Sequence, residues 1–350
     1  MPTTFPDWTR LVRPNILSLA PYSSARDEYT GADASVFLDA NESPYNRPYN
    51  RYPDPLQREL KQRVAAVKGV PAANIFLGNG SDEAIDLIFR VFCRPGKDNV
   101  VAIEPTYGMY SVCAAINDVE YRRVLLEADF SMRADKLLEA CGQNTKAIFI
   151  CSPNNPTGNA MKHEEIVRVC ESFPGIVVVD EAYGDFQQAP SLTKELAAHP
   201  NLVVLATLSK AWGSAAIRLG MAFAHEEVIG FFNKVKYPYN VNQLTQEQAA
   251  AMLRRADDVE KWKRIILDER PKVMRAVSLL PSCVKVYPSD ANFFLARMTD
   301  ADAIYQYLIG RGIVVRNRSR VALCDNCLRI TVGTPQENTA LLAALRQWPQ

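Results

Sequence analysis

The 350-residue sequence predicts an α/β fold, with a mostly parallel sheet between helices followed by a smaller α+β unit. Short apolar runs recur between residues 74 and 205, and amphipathic helical segments separate them. Each run ends in a cluster of glycine or polar residues, the expected setting for a ligand at the carboxyl ends of parallel strands. Beyond about Gln248 the pattern changes to a long charged helical stretch and then to shorter strands. A chain of this length is also long for a single hydrophobic core.

Residues 1–35 are rich in Pro, Tyr and Ser and weakly periodic, and read as an arm with one short helix. Asn74 to Leu77 is the first strand; the turn GNGSDE follows and opens the helical pattern AIDLIFRVF. NVVAI, Asn99 to Ile103, is the second, followed by EPTYGMY and a further helix. KAIFIC, Lys146 to Cys151, ends in SPNNPTG, with a helix beginning near His163. Ile176 to Val179 ends in DEAYGDF, and Leu202 to Leu205 ends near Ser209-Lys210. Strands of this kind separated by helices are βαβ units, buried on both faces. The stretch AAAMLRRADDVEKWKRIILDERPKVMRAVSLL reads as a connecting helix. The strand-like VKVYPSDANFFLARM, the helix DADAIYQYLIGRG and the strands IVVRNR and LRITVG then form the smaller unit. The expected division is an arm over 1–35, a large domain over 36–250, and a connecting helix with a small domain over 251–350.

Composition narrows the function classes. Forty basic and 39 acidic residues leave a net charge of +1 with no block of like charge, so neither nucleic acid nor an anionic membrane is an expected partner. No stretch approaches the ~18 apolar residues of a membrane span, and MPTTFPDWTRLVRPN lacks the pattern of a signal peptide, so a cytoplasmic location is expected. The eight cysteines are scattered in apolar surroundings and read as reduced thiols. Cys324 and Cys327 form a CxxC, but a structural zinc site needs two further ligands and none is nearby, so no metal is expected.

Glycines followed by Ser81 and Asp82 at a helix start expose amide groups at a positive dipole end, which suits a phosphate or simply makes a turn. The loop is neither GxGxxG nor a Walker A motif, which argues against NAD and ATP. Asp180 follows the buried strand IVVV, where a carboxylate is costly unless it caps a helix or holds a cationic group. Tyr183 lies three residues on, and Asn155 in NNPTG offers an amide donor or serves a turn. Lys210 stands in LSKAWGSAAIRLG, where an apolar run steers its ammonium toward what reads as the interior, with Arg218 eight residues on. A desolvated lysine beside cationic charge has a lowered pKa and becomes a nucleophile able to form a Schiff base. Each residue alone has a structural explanation. Together they suggest a phosphate-bearing aldehyde cofactor, with Asp180 on its ring nitrogen and Lys210 on its aldehyde.

With these residues in place the sequence resembles the fold-type I, pyridoxal-phosphate-dependent aminotransferases, and within them the branch that acts on histidinol phosphate. The resemblance spans almost the whole chain and rests on LAPYSSAR, LDANESPYN, RYPDP, LGNGSDEAIDL, EPTYGMY, SPNNPTG, VVDEAY, LSKAWGSAAIRLG, PYNVN and CLRITVG. It implies a seven-stranded sheet in the large domain, pyridoxal 5'-phosphate as cofactor, and ping-pong transamination between an amino-alcohol phosphate and 2-oxoglutarate. Lys210 would hold the cofactor and move the proton, Asp180 would keep its ring nitrogen protonated, and Tyr183 and Asn155 would bond its phenolate oxygen. Tyr107 would stack on the ring. Gly80, Ser81, Asp82, Thr207, Ser209 and Arg218 would surround the phosphate; Ser81 stands where the family often carries Ala. Tyr52 would reach the phosphate from the neighbouring subunit of a homodimer. Arg316 and Arg329 would take the anionic end of either substrate, and Tyr22 of the arm would close over it.

The same scaffold would serve an aromatic amino acid aminotransferase or an O-phosphothreonine decarboxylase. A non-catalytic ligand sensor is disfavoured, since no helix-turn-helix is appended and no basic excess is present.

Overall fold

The structure is a computed structural model that describes residues 6–22 and 35–349. The large sheet is built from β1 (Ile75–Asn79), β2 (Asn99–Glu104), β3 (Glu120–Leu125), β4 (Thr145–Cys151), β5 (Ile176–Asp180), β6 (Leu202–Thr207) and β7 (Leu219–Ala224). Their order across the sheet is β1-β7-β6-β5-β4-β2-β3, and only β7 runs against the rest. The second sheet is antiparallel and contains β8 (Cys283–Val286), β9 (Phe293–Met298), β10 (Arg316–Asn317) and β11 (Cys327–Thr331), in the order β10-β11-β9-β8. This is the expected α/β architecture, a mostly parallel seven-stranded sheet followed by a smaller antiparallel one.

The strand pleat sorts the core. Ile75, Leu77, Val101, Ile103, Ile148, Ile150, Val177, Val179 and Val204 face one hydrophobic cluster. Their neighbours Phe76, Val100, Ala102, Ala147, Phe149, Ile176, Val178, Val203 and Leu205 face a second, on the other side of the sheet. Alternation at period 2 with both faces apolar is what makes these strands read as continuous hydrophobic runs. The helix Ser81–Phe92 buries Ala84, Ile85, Ile88, Phe89 and Phe92 in the second cluster, an i, i+3, i+4 stripe.

A third cluster, centred on Phe294, Ala296, Leu328 and Ile330, fills the smaller unit. The helix Ala256–Ser278 links the cores: Val259 packs in the first cluster, Val273 and Val277 in the third. β9 also shows two faces, with Phe293 and Leu295 in the first cluster and Phe294 and Ala296 in the third.

Several elements differ from the expectation. The arm carries two short helices, Trp8–Leu11 and Pro14–Leu17, rather than one, because Pro14 cannot continue the first and starts the second. Residues 23–34, which include the end of LAPYSSAR, lie outside the described part. The connecting stretch is two helices, Gln243–Leu253 and Ala256–Ser278; Asp257 and Asp258 favour a fresh helix start, and Arg255 bonds Asp258 there. VKVYPSDANFFLARM is two antiparallel strands, split at Pro288-Ser289-Asp290. Two strands lacked a sequence signal of their own. β3 is a half-exposed edge of mixed charge, and β7 follows directly on the lysine loop.

Candidate active site

Because β1, β2, β4, β5 and β6 are parallel, their carboxyl ends share one edge of the sheet. Antiparallel β7 begins at that same edge, which carries Arg218 to it. One cleft there is lined by Gly80, Ser81, Asp82, Tyr107, Cys151, Asn155, Asp180, Ala182, Tyr183, Thr207, Ser209, Lys210 and Arg218. Every residue expected to touch the cofactor from within the same chain is in that set. A roomier cleft around Lys272, Arg275 and Trp348 gathers no comparable groups.

One end of the cleft is built for an anion. The helix Ser81–Phe92 starts after Gly80 without a capping side chain, leaving its first amides for a ligand. Gly80, at φ +74°, donates its amide to the Arg218 carbonyl at 2.9 Å. Arg218 is itself left-handed, at φ +55°, a costly conformation for a residue other than glycine and one that recurs at functional sites. Its Nη2 lies 3.9 Å from the Asp82 carboxylate and its Nη1 3.4 Å from Ser209 Oγ, while Thr207 and Ser209 hydroxyls are 2.9 Å apart.

Two glycines make this end possible. A Cβ on Gly80 would stand 2.6 Å from the Arg218 guanidinium. A Cβ on Gly220 would fall 2.0 Å from Ser81 N and 2.1 Å from Gly80 C. Gly220→Ala must therefore push the helix start away from β7. The expected outcome is a folded protein whose cofactor affinity, measured by titration of the cofactor-free form, is at least ~10-fold weaker, since a displacement near 1 Å loses short hydrogen bonds. Unchanged affinity would show that the helix start is not part of the binding surface.

The opposite end holds a buried carboxylate. Asp180 accepts the Tyr110 hydroxyl at 2.8 Å and the Ala182 amide at 2.9 Å. Burial pushes its pKa up, and those two hydrogen bonds work against the shift. Tyr110 is fully buried and was not anticipated; its only signal is its place three residues after Tyr107, on the helix Met109–Ile116. Tyr107 packs edge-on against it, with ring centroids 5.6 Å apart, and donates its hydroxyl to Asp82 at 3.1 Å. The neighbouring Glu181 points away into the core, where burial raises its pKa to about 7 and Ser191 and Leu192 donate to it.

Between the two ends stands Lys210. The expectation of an interior ammonium is corrected: the side chain emerges into the open cleft, with Nζ 5.4 Å from the Tyr183 ring centre. The walls still withdraw enough water to lower its pKa, and the positive charge of Arg329 adds to the effect, opposed by Asp180. Arg329 outweighs Arg218 in this, although Arg218 is nearer in sequence. Arg329 comes from β11 of the smaller sheet, and its Nη1 donates to Asn155 Oδ1 across the gap between the sheets. Its buried Nε has no hydrogen-bond partner, a donor left for a ligand.

The remaining expected residues are not in the lining of that cleft. Arg316 is exposed on β10, directly opposite Arg329 in the strand register. Tyr22 is exposed at the edge of the described arm and does not line the cleft. Tyr52 is also outside it, exposed on the surface with its ring stacked on Tyr239 at 4.5 Å. Cys324 and Cys327 are buried free thiols beside Arg297 and Arg318.

An anion pocket, a central amine and a buried carboxylate match the polar groups of pyridoxal 5'-phosphate: a phosphate, an aldehyde and a basic ring nitrogen. The donors present fit that molecule.

Comparison with known proteins agrees. The chain is 61% identical over 338 residues to a curated histidinol-phosphate aminotransferase of Bacteroides fragilis, covering 97% of this chain and 98% of that protein. It is equally similar, at 61% over 338 residues, to that of Bacteroides thetaiotaomicron. The crystal structure of histidinol-phosphate aminotransferase from Sinorhizobium meliloti in complex with pyridoxal-5'-phosphate superposes with a TM-score of 0.78 at 26% identity, covering 85% of this chain and 82% of that one. The model of the family "Aminotransferase class I and II" matches residues 26–345, and the chain belongs to that family.

Proposed function

We propose that this protein transfers the amino group of L-histidinol phosphate to 2-oxoglutarate, with pyridoxal 5'-phosphate as cofactor. The observation that carries the reading is the cleft in which Lys210 stands between Asp180 and the Arg218 pocket, with Arg329 reaching in from the second sheet. The close likeness to curated histidinol-phosphate aminotransferases supports the same substrate.

Bound there, the cofactor supplies an electron sink that stabilises charge on the substrate carbon. The chain's own groups do the rest. Lys210 would hold the cofactor covalently, and its Nζ would carry the proton to and from the substrate carbon. Asp180 would take the ring nitrogen and keep a proton on it; Tyr110 and Ala182 donate to that carboxylate, which favours its ionised form and fixes its aim. Asn155 and Tyr183 would bond the phenolate oxygen, and Tyr107 would cover the ring. Thr207, Ser209, Arg218 and the amides of Gly80–Asp82 would clamp the phosphate. Arg329 and Arg316 take the anionic end of whichever substrate is present, and Tyr22 closes over it. One site used in turn by two substrates gives ping-pong kinetics.

Titrating the purified protein with L-histidinol phosphate tests this directly. The expected result is conversion of the visible cofactor band to the amine form, reversed by 2-oxoglutarate. A clear preference for phenylalanine, or release of carbon dioxide from O-phosphothreonine, would overturn the assignment.

The active unit is a homodimer, with Tyr52 completing the partner's phosphate site. In support, Tyr52 is exposed and away from its own cleft, and Leu38, Tyr45, Tyr49 and Leu244 are exposed nearby in sequence or along the same surface groove. Sedimentation should give twice the 39.1 kDa chain mass, and Tyr52→Phe should weaken cofactor retention. A monomer with full activity would refute the shared site. Among the described residues no helix is long and apolar enough to cross a membrane, in keeping with a cytoplasmic enzyme.

A further inference from the structure

The small sheet carries an arginine that neither the sequence motifs nor the cofactor chemistry accounts for. Arg316 pairs with Arg329 across β10 and β11, and Arg318 follows by two residues. Its amide donates to the Cys327 carbonyl at 2.8 Å, so the register continues one step past the strand. Residues two apart on a strand share a face, and cross-strand partners share it too. Arg316, Arg318 and Arg329 therefore project from the same face. Leu295, the partner of Arg329 on β9, identifies that face: it packs in the core of the large domain, whereas Leu328 and Ile330 turn into the small core. Three guanidinium groups thus face the cleft side of the smaller sheet.

Arg318 is half-buried, and the groups acting on it most strongly are Arg329, Arg316, Cys324 and Tyr183. Loss of water and the two like charges lower its pKa to about 10. The Nε atoms of both Arg318 and Arg329 are buried without a hydrogen-bond partner. Cations crowded together with unsatisfied donors call for an anion of high charge. A phosphate monoester carries about −1.5 to −2 charge and three acceptor oxygens at neutral pH, whereas one guanidinium fork already satisfies a carboxylate.

We propose that Arg318 is a specificity-determining residue, which joins Arg316 and Arg329 in a three-guanidinium pocket for the phosphate ester and so ranks a phosphorylated amine above carboxylate-bearing aromatic amino acids. The proposal rests on the histidinol-phosphate reading above. Discrimination arises because the third cation adds to phosphate binding and has nothing left to bond on a carboxylate.

Steady-state kinetics of Arg318→Gln and Arg318→Lys with L-histidinol phosphate, L-glutamate and L-phenylalanine test it. Arg318→Gln should lose about 10–100-fold in kcat/KM for histidinol phosphate, mostly through KM, the size of one charge-assisted hydrogen-bond pair. Glutamate and phenylalanine should change by less than about 3-fold, and Arg318→Lys should recover part of the loss. An equal loss on all three amines, or no loss on any, would overturn the proposal. Inhibition of the glutamate half-reaction by inorganic phosphate, in the same holoenzymes, reads the pocket without the amine. Weaker inhibition of Arg318→Gln supports the three-guanidinium pocket even if the wild type rejects histidinol phosphate, which would defeat only the substrate reading; unchanged inhibition overturns the pocket.

Discussion

Lys210→Ala should abolish turnover and remove the visible absorbance of the cofactor-loaded protein. On the proposed mechanism the substitution would delete both the covalent tether and the group that moves the proton. Proton transfer by a placed side chain is worth about 10²–10⁴-fold, or roughly 3–5 kcal/mol of barrier, so activity should fall at least that far. The fold should survive. Lys210 projects into the open cleft, and its contact with Tyr183, 5.4 Å from the ring centre, contributes little to stability at an exposed site. A thermal melt within a few degrees of wild type would separate lost chemistry from lost structure, and a small added amine should restore part of the proton transfer. Retained activity in the variant would refute the mechanism outright.

Arg329→Ala has the next largest expected effect. Truncating one member of a buried, hydrogen-bonded charged pair costs ~2–5 kcal/mol, which corresponds to about 30- to 5,000-fold in kcat/KM. Both half-reactions should suffer, because on the proposed reading histidinol phosphate and glutamate would present their anionic ends to the same guanidinium. Asn155 also loses the donor that fixes its carbonyl oxygen, so its amide would no longer be held for the phenolate oxygen. A second signature follows from electrostatics. The positive charge of Arg329 lowers the Lys210 pKa, so its removal favours the ammonium form and moves the pKa up. In cofactor-free protein the rate of cofactor capture should then need a higher pH to reach its plateau. Loss confined to one half-reaction would show that the two substrates bind in separate places.

Much of the site was legible because it is local. A buried strand ending in Asp180, a glycine turn opening a helix at Ser81, and a lysine after an apolar run are each written in a few consecutive residues. Period-2 burial and turn chemistry decode them without knowledge of the rest of the chain. What could not be read depends on distant pairings. Tyr110 looks like an ordinary core aromatic, and only tertiary packing, which stacks its ring on Phe149 of β4, aims its hydroxyl at Asp180. Arg318 looks like one more basic residue in a polar loop until the β10–β11 register turns it to the cleft.

By itself, then, the sequence determined the α/β class, the strand ends that carry chemistry, and the identity of Lys210, Asp180 and Arg218 as a set. The tertiary structure alone decided three things. It reversed β7, which places Arg218 at the same edge as residues it would otherwise lie a strand length away from. It set the smaller sheet against the large domain so that Arg329 reaches Asn155, 174 residues away in the chain. And it left Lys210 in the open cleft while Arg329, not its neighbour Arg218, became the main positive charge acting on it. The reason is the same each time: side-chain pattern encodes which face of an element is buried, whereas strand direction and the approach of distant elements follow from long-range packing that no short window contains.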